Sequence, residues 1–132
     1  MNRLLKLTAI IEAATGLGLI AVPAIVVRFL LNAEITGASI PLGRVAGVAL
    51  LALGVAAWLV SYDEQTRAAR GLVSAMVLYN LGAALILALA GIGLGFVGIA
   101  LWPAVILHAV MAVWCIVRLR PVNPSTSERT QS

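Results

Sequence analysis

The sequence predicts an all-α polytopic membrane protein, a four-transmembrane-helix bundle with short loops and both termini in the cytoplasm. Three observations carry this. The 132-residue chain is 62% hydrophobic and only 11% charged, with a mean hydropathy of +1.08, well outside the composition of soluble globular domains. Its apolar residues form four runs, each long enough to cross about 30 Å of hydrocarbon, which takes roughly 20 helical residues. Its nine Lys and Arg residues are shared unevenly among the segments between those runs, and short loops rich in positive charge stay on the cytoplasmic side.

The spans are placed at residues 4–22, 41–60, 71–90 and 97–117, so that residues 1–120 form one transmembrane domain. The first apolar run continues past Pro23 to Leu31. Either the helix kinks at Pro23 or a short second helix lies on the outer surface. A basic start and the Val22, Pro23, Ala24 stretch loosely resemble a cleavable signal. The apolar region is longer than a signal core, carries Glu12 and places Pro23 directly before Ala24, so it is read as a retained span.

Residues 32–40 make a first loop, polar enough to lie outside the membrane. The second span carries a stripe of small residues, Gly43, Gly47, Gly54, Ala57 and Ser61, with Gly43 and Gly47 in small-xxx-small spacing. Such stripes let helices approach closely in lipid, where packing and hydrogen bonds, not apolar burial, drive association. The partner is either another helix of this chain or another copy. The second loop, residues 61–70, gathers charge. Ser61 and Glu64 have capping-box spacing and Asp63 stands four residues before Arg67, so the third helix is expected to begin there in water.

Gly91, Gly93 and Gly95 mark a tight uncharged turn, making the third and fourth spans an antiparallel hairpin. Gly93, Gly95 and Gly98 also have dinucleotide-loop spacing, but that chemistry needs a preceding strand in a soluble fold. Residues 121–132 have two prolines and no apolar periodicity, and read as a disordered cytoplasmic tail.

Orientation follows from charge. Arg3, Lys6, Arg67, Arg70, Arg118, Arg120 and Arg129 fall on one side, Arg28 and Arg44 on the other. The expected location is the bacterial cytoplasmic (inner) membrane. The lipid bilayer is the expected partner, and the formal +4 charge requires no nucleic acid. Trp58, Tyr62 and Trp114 sit near one interface and Trp102 near the other, as aromatic anchors do. Tyr79 lies deeper, where its hydroxyl is expected to hydrogen-bond a neighbouring helix.

Candidate chemistry centres on Glu12. A charged side chain near the bilayer centre costs about 3 kcal/mol on insertion scales and 10 or more in simulations, so it faces other helices, water or a ligand. Thr8, Glu12, Thr15 and Gly16 share one helix face, which should point into the bundle, with either threonine able to donate to the carboxyl group. By helical rise, Glu12, Asn80 and His108 lie about 12, 14 and 14 Å into the membrane. A Glu12, Asn80, His108 cluster is therefore available if the first, third and fourth helices face one another. It would be a polar clasp fixing helix register, or a proton-binding site built from a carboxyl near an imidazole.

His108, Met111 and Cys115 fall on one side of the last span. A lone His with no spaced Cys pair is a poor haem or metal site, so no metal or cofactor is expected. Cys115 is the single cysteine and reads as a small buried hydrophobe. Arg44 is close enough to the outer interface to snorkel. No nucleophile and base constellation, phosphate-binding loop or extramembrane domain points to an enzyme.

The stretch Ala9, Ile10, Ile11, Glu12, Ala13, Ala14, Thr15, Gly16, in a short chain with four spans, resembles in outline the small multidrug resistance transporters. These are dimers whose membrane carboxylate binds protons and cationic substrates, and the resemblance, confined to one helix, implies that role for Glu12 alone. Two function classes stand. The first, and the expected one, is a structural or accessory protein assembling through small-residue helix faces as a homo-oligomer or within a larger membrane complex. The second is a small proton-linked transporter with Glu12 as its proton and cation site.

Overall fold

The computed structural model describes residues 2–63 and 66–120. Its elements are α1 (Asn2–Ala21), α2 (Pro23–Leu31), α3 (Ser39–Val60), α4 (Arg67–Gly93) and α5 (Leu101–Leu119), with no strand among the described residues. Four of the five helices, all but α2, are long and apolar enough to cross a membrane, which suggests an integral membrane protein. At nine residues, α2 is about 14 Å long and too short to span.

Pro23 settles how the first apolar run divides. Proline disfavours helical geometry in the preceding residue, and Val22 leaves the helix at φ −137°, ψ 59°. Pro23 then opens α2, at a helix start where its missing N–H costs nothing. The helix stops at Asn32, whose left-handed φ of 52° is one that asparagine tolerates and whose N–H closes back onto the Arg28 carbonyl at 2.8 Å.

The connection after α3 differs from the expected helix start. Ser61 Oγ donates to the Trp58 carbonyl at 2.7 Å, so Ser61 closes α3 instead of opening α4. Thr66 is the true N-cap, its Oγ1 accepting the Ala69 N–H at 3.1 Å. Glu64, the other half of the expected capping box, and the tail of residues 121–132 lie outside the described residues. The glycine turn is also displaced. Gly91 and Gly93 are still helical, and the chain turns through residues 94–100, where Gly95 has φ +70°.

Helices pack as two antiparallel pairs, α1 with α3 and α4 with α5, with sparse contact between the pairs. The small-residue stripe makes the first pair. A Cβ on Gly47 would sit 2.7 Å from the Gly16 carbonyl oxygen, and one on Gly54 would sit 2.9 Å from the Ala9 oxygen. Only glycine permits that backbone approach. Gly47, Gly54, Ala57 and Ser61 are buried and Gly43 is half-buried against Pro23. The partner of Gly47 and Gly54 is thus α1 of the same chain, while Gly43 lies against Pro23 of α2.

The pairs meet at the end where α1 begins and α5 finishes. Leu4 and Leu5 of α1, Val73 and Met76 of α4, and Met111 and Cys115 of α5 form one buried core. Here Arg70 reaches the Leu119 carbonyl at 3.3 Å, and Lys6 lies 5.6 Å from the centre of the Tyr62 ring. Beyond this core the pairs part. At the far end α2 lies against α3 and α5, held by Ala100 N–H donating to the Phe29 carbonyl at 3.0 Å. The result is a cleft closed below by the core and flanked above by α2.

Candidate intramembrane site

The cleft begins where the core ends. Glu12 stands two helical turns beyond Leu5 on α1 and is only 4% exposed. Tyr79 and Asn80 are adjacent on α4, and His108 comes from α5. Tyr79 Oη donates to Glu12 Oε2 at 3.2 Å, a hydrogen bond between the two helix pairs beyond their shared core. Asn80 is buried and uses both ends of its amide. Its Nδ2 donates to the Met76 carbonyl one turn back at 2.8 Å, and its Oδ1 lies 2.9 Å from His108 Nδ1. The rings of Tyr79 and His108 meet edge to face, with centroids 5.5 Å apart and planes at 84°, a favourable arrangement for aromatic groups.

These contacts fix the imidazole. With the Asn80 amide nitrogen committed to Met76, its carbonyl oxygen faces the ring, and an oxygen accepts. His108 must therefore carry a proton on Nδ1, and in the neutral ring the lone pair is left on Nε2.

The site residues expected from sequence are distributed as follows. Asn80 and His108 touch. Glu12 joins them through Tyr79 and not by a direct hydrogen bond, because α1 leans on α3 and leaves the cleft between itself and α5. Thr8 is buried one turn before Glu12. Thr15, expected inside the bundle, is exposed on the cleft wall, because its neighbour Gly16 takes the contact with α3. The hydroxyl that serves the carboxyl group is that of Tyr79, not of either threonine. Met111 and Cys115 are buried in the core, Arg44 is exposed, and no three His, Cys, Asp or Glu side chains converge among the described residues.

Tyr79, expected to hydrogen-bond a neighbouring helix but not grouped with Glu12, belongs to this site. Counted from Gly71, it lies about 12 Å into its span, the same depth as Glu12, so helical rise carried the signal.

Two adjoining cavities occupy the cleft. One, of about 320 Å³, is lined by Glu12, Tyr79 and His108 with Ile25, Phe29 and Leu107 among its apolar walls. The other, of about 580 Å³, lies against Tyr79, His108 and Thr15 with Leu19, Leu50 and Ile86. They share Thr15, Val26, Leu30, Tyr79, Leu87 and His108. Polar groups from three helices thus converge on one face of an apolar recess, the usual form of a small-molecule site.

Compared with protein-family models, curated proteins and solved structures, the chain matches none. The class that fold and site define is therefore physical: a chain with four membrane-length helices and an acid, phenol and imidazole set along a cleft between two helix pairs.

Proposed function

We propose that this protein is a small proton-linked transporter of the bacterial inner membrane, with Glu12 as its intramembrane proton site. The observation that carries this reading is the position of Glu12 on a cavity wall. A carboxyl group whose only task was to hold helices together would be expected in a sealed contact. A carboxyl placed between one hydrogen-bonding partner, Tyr79, and an open recess can exchange what it holds. Both termini are taken as cytoplasmic, since Arg3, Lys6, Arg67, Arg70, Arg118 and Arg120 gather at the end where α1 begins and α5 finishes.

The structural or accessory reading has one observation in its favour. The Glu12 to Tyr79 and Asn80 to His108 bonds also clamp α1, α4 and α5 in register. Its main support in the sequence was the α3 stripe, and α1 meets that stripe at Gly47 and Gly54. A homo-oligomer or larger complex would have to assemble through other faces.

Purified protein in liposomes under an imposed pH gradient separates the two. Glu12→Gln keeps a carbonyl oxygen for Tyr79 and removes the exchangeable proton. Transport requires loss of proton flux with secondary structure and oligomeric state unchanged. Unaltered flux, or absence of flux in the parent protein, rejects it in favour of the clasp.

A further inference from the structure

The two groups of fixed hydrogen-bonding role on the cleft wall, Tyr79 and His108, turn acceptors toward it. Tyr79 spends its only O–H on Glu12, and His108 spends its Nδ1–H on Asn80. Asn80 lines neither cavity, so the edge of the imidazole turned toward them carries Nε2, an acceptor. Thr15 brings an exposed hydroxyl to both cavities, able to donate or to accept. Glu12 brings its second carboxyl oxygen, an acceptor when ionised and a donor when it holds a proton. The titratable groups on these walls are Glu12 from α1, Tyr79 from α4 and His108 from α5, while α2 and α3 contribute apolar side chains alone.

A ligand suited to both states of Glu12 must donate to His108 Nε2 and also accept from a protonated carboxyl. A hydroxyl does both. An ether or ketone cannot donate, and an ammonium group cannot accept. A neutral hydroxyl compound also enters from lipid without the cost that a charge would carry there. Cavities of about 320 and 580 Å³ lie in the size range of small-ligand sites, and the larger one gives an apolar body room along Leu19, Leu50 and Ile86.

We infer that the cleft binds a membrane-soluble alcohol or phenol, its hydroxyl seated between Glu12 and His108 Nε2 and its hydrocarbon body in the wider cavity. This deepens the proton-site reading and rests on it.

The chain has a single histidine, so ¹⁵N-histidine labelling in lipid nanodiscs reports this ring alone. Titration with 4-nonylphenol should shift the Nε2 resonance saturably toward the hydrogen-bonded position. Its methyl ether and nonyltrimethylammonium should leave that resonance in place. Leu87→Phe, which narrows space shared by both cavities and adds no hydrogen-bonding group, should weaken the response while the unliganded spectrum is kept. An equal shift with the ether, a shift with the ammonium probe alone, or no saturable shift overturns the inference. Glu12-dependent proton flux, measured without added phenol, fails or survives independently and tests the underlying reading.

Discussion

Tyr79 of α4 donates its hydroxyl to the Glu12 carboxyl of α1 across 3.2 Å, and this bond spans the gap between two helix pairs that otherwise meet mainly at one end. Tyr79→Phe removes the donor and keeps the ring against His108. Hydrogen bonds between membrane helices contribute about 0.6 kcal/mol on average and rarely above about 1.7, so the variant should lose roughly 1 kcal/mol. Glu12→Gln, which retains an acceptor, should lose less. Equilibrium unfolding in mixed micelles with rising SDS measures both, and equal losses would show that the bond is not what holds α4 to α1.

The Gly16 and Gly47 contact makes a sharper demand. A Cβ at Gly47 would lie 2.7 Å from a backbone oxygen, an obstacle that no rotamer change removes. Gly47→Ala should separate α1 from α3 and destabilise the fold by about 1 to 3 kcal/mol, the usual cost of overpacking. Gly71, exposed on α4 with nothing within 4 Å of an added Cβ, is the control. Gly71→Ala should be neutral or stabilising by up to about 1 kcal/mol, since glycine weakens a helix interior. The same unfolding assay reads both signs.

Asn80 dictates the tautomer of His108. In the parent protein the neutral ring should show a protonated Nδ1 and an unprotonated Nε2 in its ¹⁵N spectrum, because Nδ1 faces the Asn80 oxygen. Asn80→Leu deletes that acceptor, and the ring should pass to a mixture containing the Nε2–H form. An unchanged tautomer in the variant would place the orienting group elsewhere.

The spans were legible because hydropathy and helical rise act along a single helix. The shared depth of Glu12, Asn80 and His108 was legible for the same reason. What one helix cannot disclose is which neighbour it leans on. Thr15 and Glu12 share a face of α1, yet Gly16 presses that helix onto Gly47 and leaves Thr15 on the open cleft. Tyr79 shows the same limit: its depth matched Glu12, but its partner was set by the way α4 approaches α1. Pro23 was legible as a break, whereas the place where α2 rests, held by the Ala100 N–H at the start of α5, depends on tertiary contact.

Gly98 governs that resting place. It is buried, and a Cβ there would collide with the Leu30 carbonyl group of α2. Because the obstacle is backbone, Gly98→Ala should push α2 away from the start of α5 and break the 3.0 Å bond from Ala100 N–H to the Phe29 carbonyl. The Ala100 amide should then exchange its hydrogen faster, while amides in the buried core near Met76 and Met111 keep their protection. Ile25, Val26, Phe29 and Leu30 line the smaller cavity from α2, so the same variant should weaken any ligand response at His108 without altering its tautomer. Unchanged exchange at Ala100 would mean that α2 is held by its packing on α3 instead.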